Sequence, residues 1–134
     1  MASILVIDDD KQIRSLIRQM LEREGHEVAE AGNGVEGLAT FTESPAHLVV
    51  IDLFMPEAGG WETIRALQRR VPGVPVIVIS GGAALEGLGR GDVGTLDSLR
   101  ARYRVLRKPF DWSEFSAAVT ELLTKAPLVA TGTR

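Results

Sequence analysis

Two hydrophobic rhythms take turns along the chain. Ser3-Ile4-Leu5-Val6-Ile7, Leu48-Val49-Val50-Ile51 and Val74-Pro75-Val76-Ile77-Val78-Ile79 are short, almost wholly apolar and rich in β-branched residues. Such runs predict strands buried on both faces. His26 to Ala31 predicts a weaker second strand, with Val28 and His26 turned inward, and Arg104-Val105-Leu106-Arg107 a short fifth. Between them the apolar residues fall at helical spacing. Ile13, Leu16, Ile17, Met20 and Leu21 form one inward stripe that leaves Arg14, Arg18 and Glu22 on the wet side, with Gly25 as the stop. Asn33-Gly34 opens a second helix to about Thr42, closed by Pro45. Trp61, Ile64, Leu67, Gln68 and Val71 give a third, ended by Pro72-Gly73, and Leu96 and Leu99 anchor a fourth from Thr95 to about Tyr103. Asp111-Trp112-Ser113-Glu114 has the form of a capping box and starts a last helix through Phe115, Val119, Leu122 and Leu123. Pro127 is its expected end, which makes residues 1–125 the domain and 126–134 a flexible tail.

Strand and helix alternate five times, which predicts an α/β fold: a doubly wound parallel (βα)5 sheet with helices on both faces. Right-handed crossovers then bring every strand's carboxyl end to one edge, the edge where open α/β sheets bind ligands. Asp8 and Asp9 follow the first strand, Asp52 ends the third, Ser80 ends the fourth and Lys108 follows the fifth. Acids, a hydroxyl and an amine are thereby expected to meet. Pro56 stops the Asp52 strand soon after its carboxylate. Residues 81–94 hold Gly81, Gly82, Gly87, Gly89, Gly91 and Gly94, too many for a stable helix, and predict a long loop after Ser80.

Composition narrows the partners. The 134 residues suit one domain with a real core, and the net charge of -3 offers no electrostatic case for nucleic acid. No run reaches the length of a membrane span, and Met1-Ala2-Ser3-Ile4 has no basic segment leading into an apolar one. A cytoplasmic protein is expected, with no nucleic-acid or membrane partner. The absence of cysteine excludes disulfides, thiolate metal sites and cysteine nucleophiles. The arginines at 90, 100, 102, 104 and 107 form a basic stretch, read as a solvated face. His26 and His47 stand at strand starts, on the edge away from the acids, and are read as structural.

Neighbouring carboxylates repel, and a hard divalent cation is their natural neutraliser. Mg²⁺ takes oxygen ligands and commonly uses one or two carboxylates plus a phosphate. Asp9, Asp52 and the backbone carbonyl of Phe54 suit it, while one of Asp8, Asp9 and Asp10 is expected to cap the first helix. A carboxylate also attacks phosphorus to form an aspartyl phosphate. The added charge needs the cation on one side and a lysine on the other, and a hydroxyl supplies a hydrogen bond; Lys108 and Ser80 fit those roles.

Ile7-Asp8-Asp9, Asp52 followed by Met55-Pro56 and Gly60, Ser80 after an apolar strand, and Lys108-Pro109-Phe110 together resemble the receiver domain of two-component response regulators, over residues 3 to about 124. The resemblance implies flavodoxin-like strand order 2-1-3-4-5. It implies Asp52 as phosphoacceptor from a histidine kinase or phosphotransfer protein, Mg²⁺ on Asp8, Asp9, Asp52 and the Phe54 carbonyl, Lys108 on the phosphoryl group and Ser80 reporting its arrival. It also implies a cis peptide at Lys108-Pro109, a kinase-docking patch around Gln12, Ile13 and Arg14, and catalysis limited to the domain's own phosphorylation and dephosphorylation. A stand-alone receiver is expected, monomeric or weakly dimeric, acting on an unknown downstream protein. Two features depart from the family. Val105 replaces the usual aromatic three residues before the lysine, and residues 81–94 are long and glycine-rich. Signalling is therefore expected to work by ordering of that loop, which amide exchange with and without phosphorylation tests. Two other readings stay open: a receiver-like binding module that is never phosphorylated, and a haloacid dehalogenase-type phosphohydrolase using Asp8, with Asp10, Ser80 and Lys108.

Overall fold

A computed structural model describes residues 2–53, 60–80 and 102–131. Five strands, β1 (Ser3–Ile7), β2 (Glu27–Ala31), β3 (Leu48–Asp52), β4 (Val76–Ser80) and β5 (Tyr103–Arg107), form one sheet in the order β2-β1-β3-β4-β5. Every pairing is parallel. The described helices are α1 (Lys11–Arg23), α2 (Gly34–Glu43), α3 (Gly60–Arg70) and α4 (Trp112–Thr131).

Alternation along the central strands divides the core in two. Leu5, Ile7, Val49, Ile51, Val76 and Val78 pack with Phe41, Ile64 and Leu67 from α2 and α3. Ile4, Val6, Leu48, Val50, Ile77 and Ile79 pack with Ile17 and Leu21 from α1 and with Phe115, Val119 and Leu122 from α4. All five residues of β3 and of β4 are buried, as continuous apolar strands covered on both faces must be. This is the doubly wound parallel sheet, flavodoxin-like in its order.

Local chemistry accounts for the ends of the elements. The Asp10 carboxylate accepts from the Gln12 and Ile13 amides and caps α1; Asn33 caps α2 through the Glu36 amide, and Asp111 accepts from the Ser113 amide at the start of α4. Gln68, buried near the end of α3, donates to the Val74 carbonyl and accepts from the Gly73 amide, and so closes the turn into β4.

Four expectations need correction. Leu16 is 50% exposed, because the stripe of α1 that reaches the sheet is narrow and centres on Ile17 and Leu21. Val71 lies beyond the end of α3 and is exposed. Tyr103 begins β5 instead of ending a helix. The stop at Pro127 is not made, since α4 runs on to Thr131; a proline removes one intrahelical bond and crowds the preceding turn, a cost that does not forbid continuation. The remainder of the proposed helix from Thr95, the loop over 81–94 and residues 132–134 lie outside the described residues.

Candidate functional site

The parallel sheet carries the predicted side chains to one edge. Asp8 follows β1, Asp52 closes β3, Ser80 closes β4 and Lys108 follows β5. Ladder bonds continue past the strands and fix these positions. Asp8 N–H donates to the Ala31 carbonyl, Leu53 N–H to Ile79, and Lys108 N–H to the carbonyl of Ser80 itself at 2.8 Å. The peptide between Lys108 and Pro109 is cis.

Three carboxylates gather there. One oxygen from each of Asp8, Asp9 and Asp52 lies within 4.8 Å of the others, Asp8 and Asp52 buried and Asp9 exposed. Lys108 Nζ stands 3.5 Å from Asp52 Oδ2. Ser80 is fully buried. Asp8 Oδ1 accepts from the Asp10 amide at 2.8 Å, whereas the buried Asp8 Oδ2 has no hydrogen-bond partner among the described residues. Burial pushes the Asp8 carboxyl up from 3.8 to about 6; the Asp52 and Asp9 charges add to this, and the Asp10 amide and Lys108 oppose it. An orphaned carboxylate oxygen among grouped acids suits a hard cation, which takes oxygen donors and lowers their mutual repulsion. The Phe54 carbonyl, expected as a further ligand, lies outside the described residues, as do Met55 and Pro56.

The model of the response regulator receiver domain matches residues 4–120. The chain belongs to this family. A receiver domain protein of Clostridium thermocellum has the same fold with a TM-score of 0.82 at 31% identity, the match covering 96% of this chain and 99% of that one. The transcriptional regulatory protein CpxR homolog of Haemophilus influenzae is 32% identical over 127 residues, 94% of this chain and 52% of its own length. ResD of Bacillus subtilis, also a transcriptional regulatory protein, is 34% identical over 124 residues, 92% of this chain and 48% of its own length. The chain thus spans about half the length of these two curated relatives, and 24% of the length of the DNA-binding transcriptional regulator NtrC of a Bradyrhizobium species, to which it is 32% identical over 123 residues.

Within the receiver, Val105 pairs with Val78, two residues before Ser80 on β4. Tyr103 lies on the same face of β5 but one further step from the site, opposite Val76. Neither His26 nor His47 approaches the acids. Their Nδ1 atoms accept from the Ala2 and Ser3 amides at the amino end of the sheet. Among the described residues no helix is long and apolar enough to cross a membrane.

Two residues at this edge, Arg14 and Glu30, make contacts that the sequence reading did not foresee. Arg14, placed on the wet side of α1 by its spacing, turns back instead. Its NH1 donates to the Asp8 carbonyl at 2.7 Å and its Nε to Glu30 Oε1 on β2 at 2.8 Å. Glu30 stands two residues from Val28 and shares its half-buried face of β2, so a charge on the inward side of that strand was the signal available; which residue it pairs with is set only by the tertiary structure.

Proposed function

We propose that this receiver accepts a phosphoryl group on Asp52 from the phosphohistidine of a histidine kinase or phosphotransfer protein and passes the signal to a protein target. The observation that carries the reading is the Lys108 ammonium 3.5 Å from Asp52, beside carboxylates grouped within 4.8 Å. An Asp52 oxygen attacks phosphorus as the phosphorus–nitrogen bond to the donor histidine breaks, and that nitrogen keeps the bonding pair. Asp8, Asp9 and Asp52 would hold Mg²⁺, with the Phe54 carbonyl as the further ligand expected from the family resemblance, and the ion would supply positive charge for the transferring oxygens. Lys108 neutralises the phosphoryl group from the opposite side. The Ser80 hydroxyl donates a hydrogen bond to it. The result is an acyl phosphate that the domain itself makes and loses, in a signalling domain working in the cytoplasm.

The donor's surface is supported by a groove of about 370 Å³ beside Lys108, lined by Ile13, Leu16, Pro109, Phe110 and Trp112. Leu16 and Trp112 are exposed there, as expected of apolar side chains that a partner covers. The DNA-binding and other output activities of the longer relatives are no part of this reading.

Intact mass after incubation with acetyl phosphate tests it. One phosphoryl group adds to the wild type, requires Mg²⁺, and is absent in Asp52→Asn. A wild type that gains no mass sinks the phosphoacceptor reading and favours a binding module; donor turnover dependent on Asp8 but not on Asp52 favours the phosphohydrolase.

A further inference from the structure

The Asp8-Asp9-Asp10 turn is pinned from outside the acid cluster. Asp8 N–H is bound to the Ala31 carbonyl at the end of β2, and Asp8 C=O accepts from Arg14 NH1. Arg14 is in turn held by Glu30 of β2, whose second oxygen takes Arg18 NH1 at 2.7 Å. Arg18 is itself braced by Glu22, four residues on along α1. Both backbone groups of Asp8 are thus referenced to the same edge strand, one directly and one through the guanidinium of Arg14. With Oδ1 committed to the Asp10 amide, Oδ2 is the one polar atom of Asp8 still unpartnered among the described residues.

We propose that Arg14, anchored by Glu30, is a positioning residue for the acid cluster: it fixes the Asp8–Asp9 peptide plane and so sets the ligand geometry offered to Mg²⁺. The inference rests on the metal reading above. The guanidinium suits the task because its donors are coplanar at fixed angles, so two bonds from one head lock the Glu30 carboxylate and the Asp8 carbonyl relative to each other. A lysine makes point contacts and does not. The action is geometric rather than electrostatic. Glu30 neutralises Arg14 at 2.8 Å, and the charged groups that perturb the Asp8 carboxyl are Asp52, Lys108 and Asp9, not Arg14. Because the Asp9 side chain leaves the chain just after the held carbonyl, a rotation of that peptide moves one ligand relative to the other two.

The test uses the full chain, with Mg²⁺ titrated against amide chemical shifts for wild type, R14K and R18K, and exchange of the Asp10 amide measured without metal. Residues that orient ligands from behind typically change metal affinity 10–100-fold, so R14K is expected to weaken Mg²⁺ binding by about tenfold and to speed Asp10 exchange. R18K perturbs the same ionic chain without touching Asp8 and stays within about twofold of wild type. E30A, which removes the anchor and leaves Arg14 in place, weakens binding in the same direction if R14K does not fold. A tie that only holds α1 to β2 would lower the melting temperature of R14K and R18K alike and leave the Mg²⁺ dissociation constant of R14K within twofold; that result overturns the proposal alone. A wild type that binds no Mg²⁺ overturns both the metal reading and this inference.

Discussion

A carboxylate withdrawn from water loses hydration that its neighbours must replace, and Asp8, 1% exposed, has one oxygen served by an amide and one served by nothing among the described residues. Its folded pKa of about 6 lies above the ordinary 3.8. The folded state therefore binds more protons than the unfolded chain between about pH 4 and 6, and stability falls as pH rises through that window. Below it both states hold the proton and the penalty vanishes; above it the penalty is complete. The gap between 3.8 and about 6 corresponds to roughly 3 kcal/mol as an upper bound. Asp8→Asn keeps an oxygen for the Asp10 amide and removes the charge, so the metal-free variant should be more stable than wild type at pH 7 by roughly 1–3 kcal/mol. The difference should close towards pH 4. Thermal melts in chelator across that range decide it, and a pH-independent difference would refute the assignment.

Elements owe their positions to contacts that spacing alone does not rank. Gly60 opens α3 where an added Cβ would lie 2.9 Å from both Leu53 Cα and Leu53 O, backbone that the β3–β4 ladder holds in place. At Gly37 on α2 the intruder would be nearer, 2.5 Å from Ile7 Cδ1 and 2.8 Å from its Cγ1, but these are side-chain atoms and not backbone. Gly60→Ala should accordingly cost about 1–3 kcal/mol, as overpacking against rigid neighbours does. Gly37→Ala should cost less, because the gain in helix propensity of up to about 1 kcal/mol offsets part of the clash. Urea denaturation of the two variants checks the order, and a smaller loss at Gly60 would contradict it. At this scale the helical period located α1 and α3 well, and the turn at Asn33-Gly34 located α2. It misjudged Leu16 because a period marks a stripe, whereas burial depends on how much of the stripe the neighbouring sheet covers.

The whole molecule is one sheet shared by two cores. Phe41 and Phe115 are both fully buried, on opposite faces, and no hydrophobic cluster contains both. Truncation of either to Ala should cost about 3–5 kcal/mol. Since the strands carry load from both sides, each variant should still unfold in a single transition, and the double variant should lose close to the sum. Chemical denaturation followed by fluorescence and by circular dichroism tests this; two separated transitions would show that the faces are independent. The parallel arrangement also explains why the site is assembled from so many separate stretches of chain. Each strand delivers its last residue or the one after it to the same edge, so Asp8, Asp52, Ser80 and Lys108 are brought together although 100 positions separate the first from the last.

Sequence by itself determined the strands, their parallel order once the family resemblance was seen, and the acids, hydroxyl and lysine that share an edge. These follow from local patterns: β-branched runs that only a doubly covered sheet can bury, and polar residues standing where those runs stop. Tertiary structure decided what depends on distance between segments. It left Leu16 in the open beside Lys108, carried α4 past Pro127, and turned Arg14 from a solvated helix face onto Glu30 and the Asp8 carbonyl. No period along the chain encodes that last contact, because it exists only where β2 lies against β1 and brings Glu30 beside the turn that carries the acids.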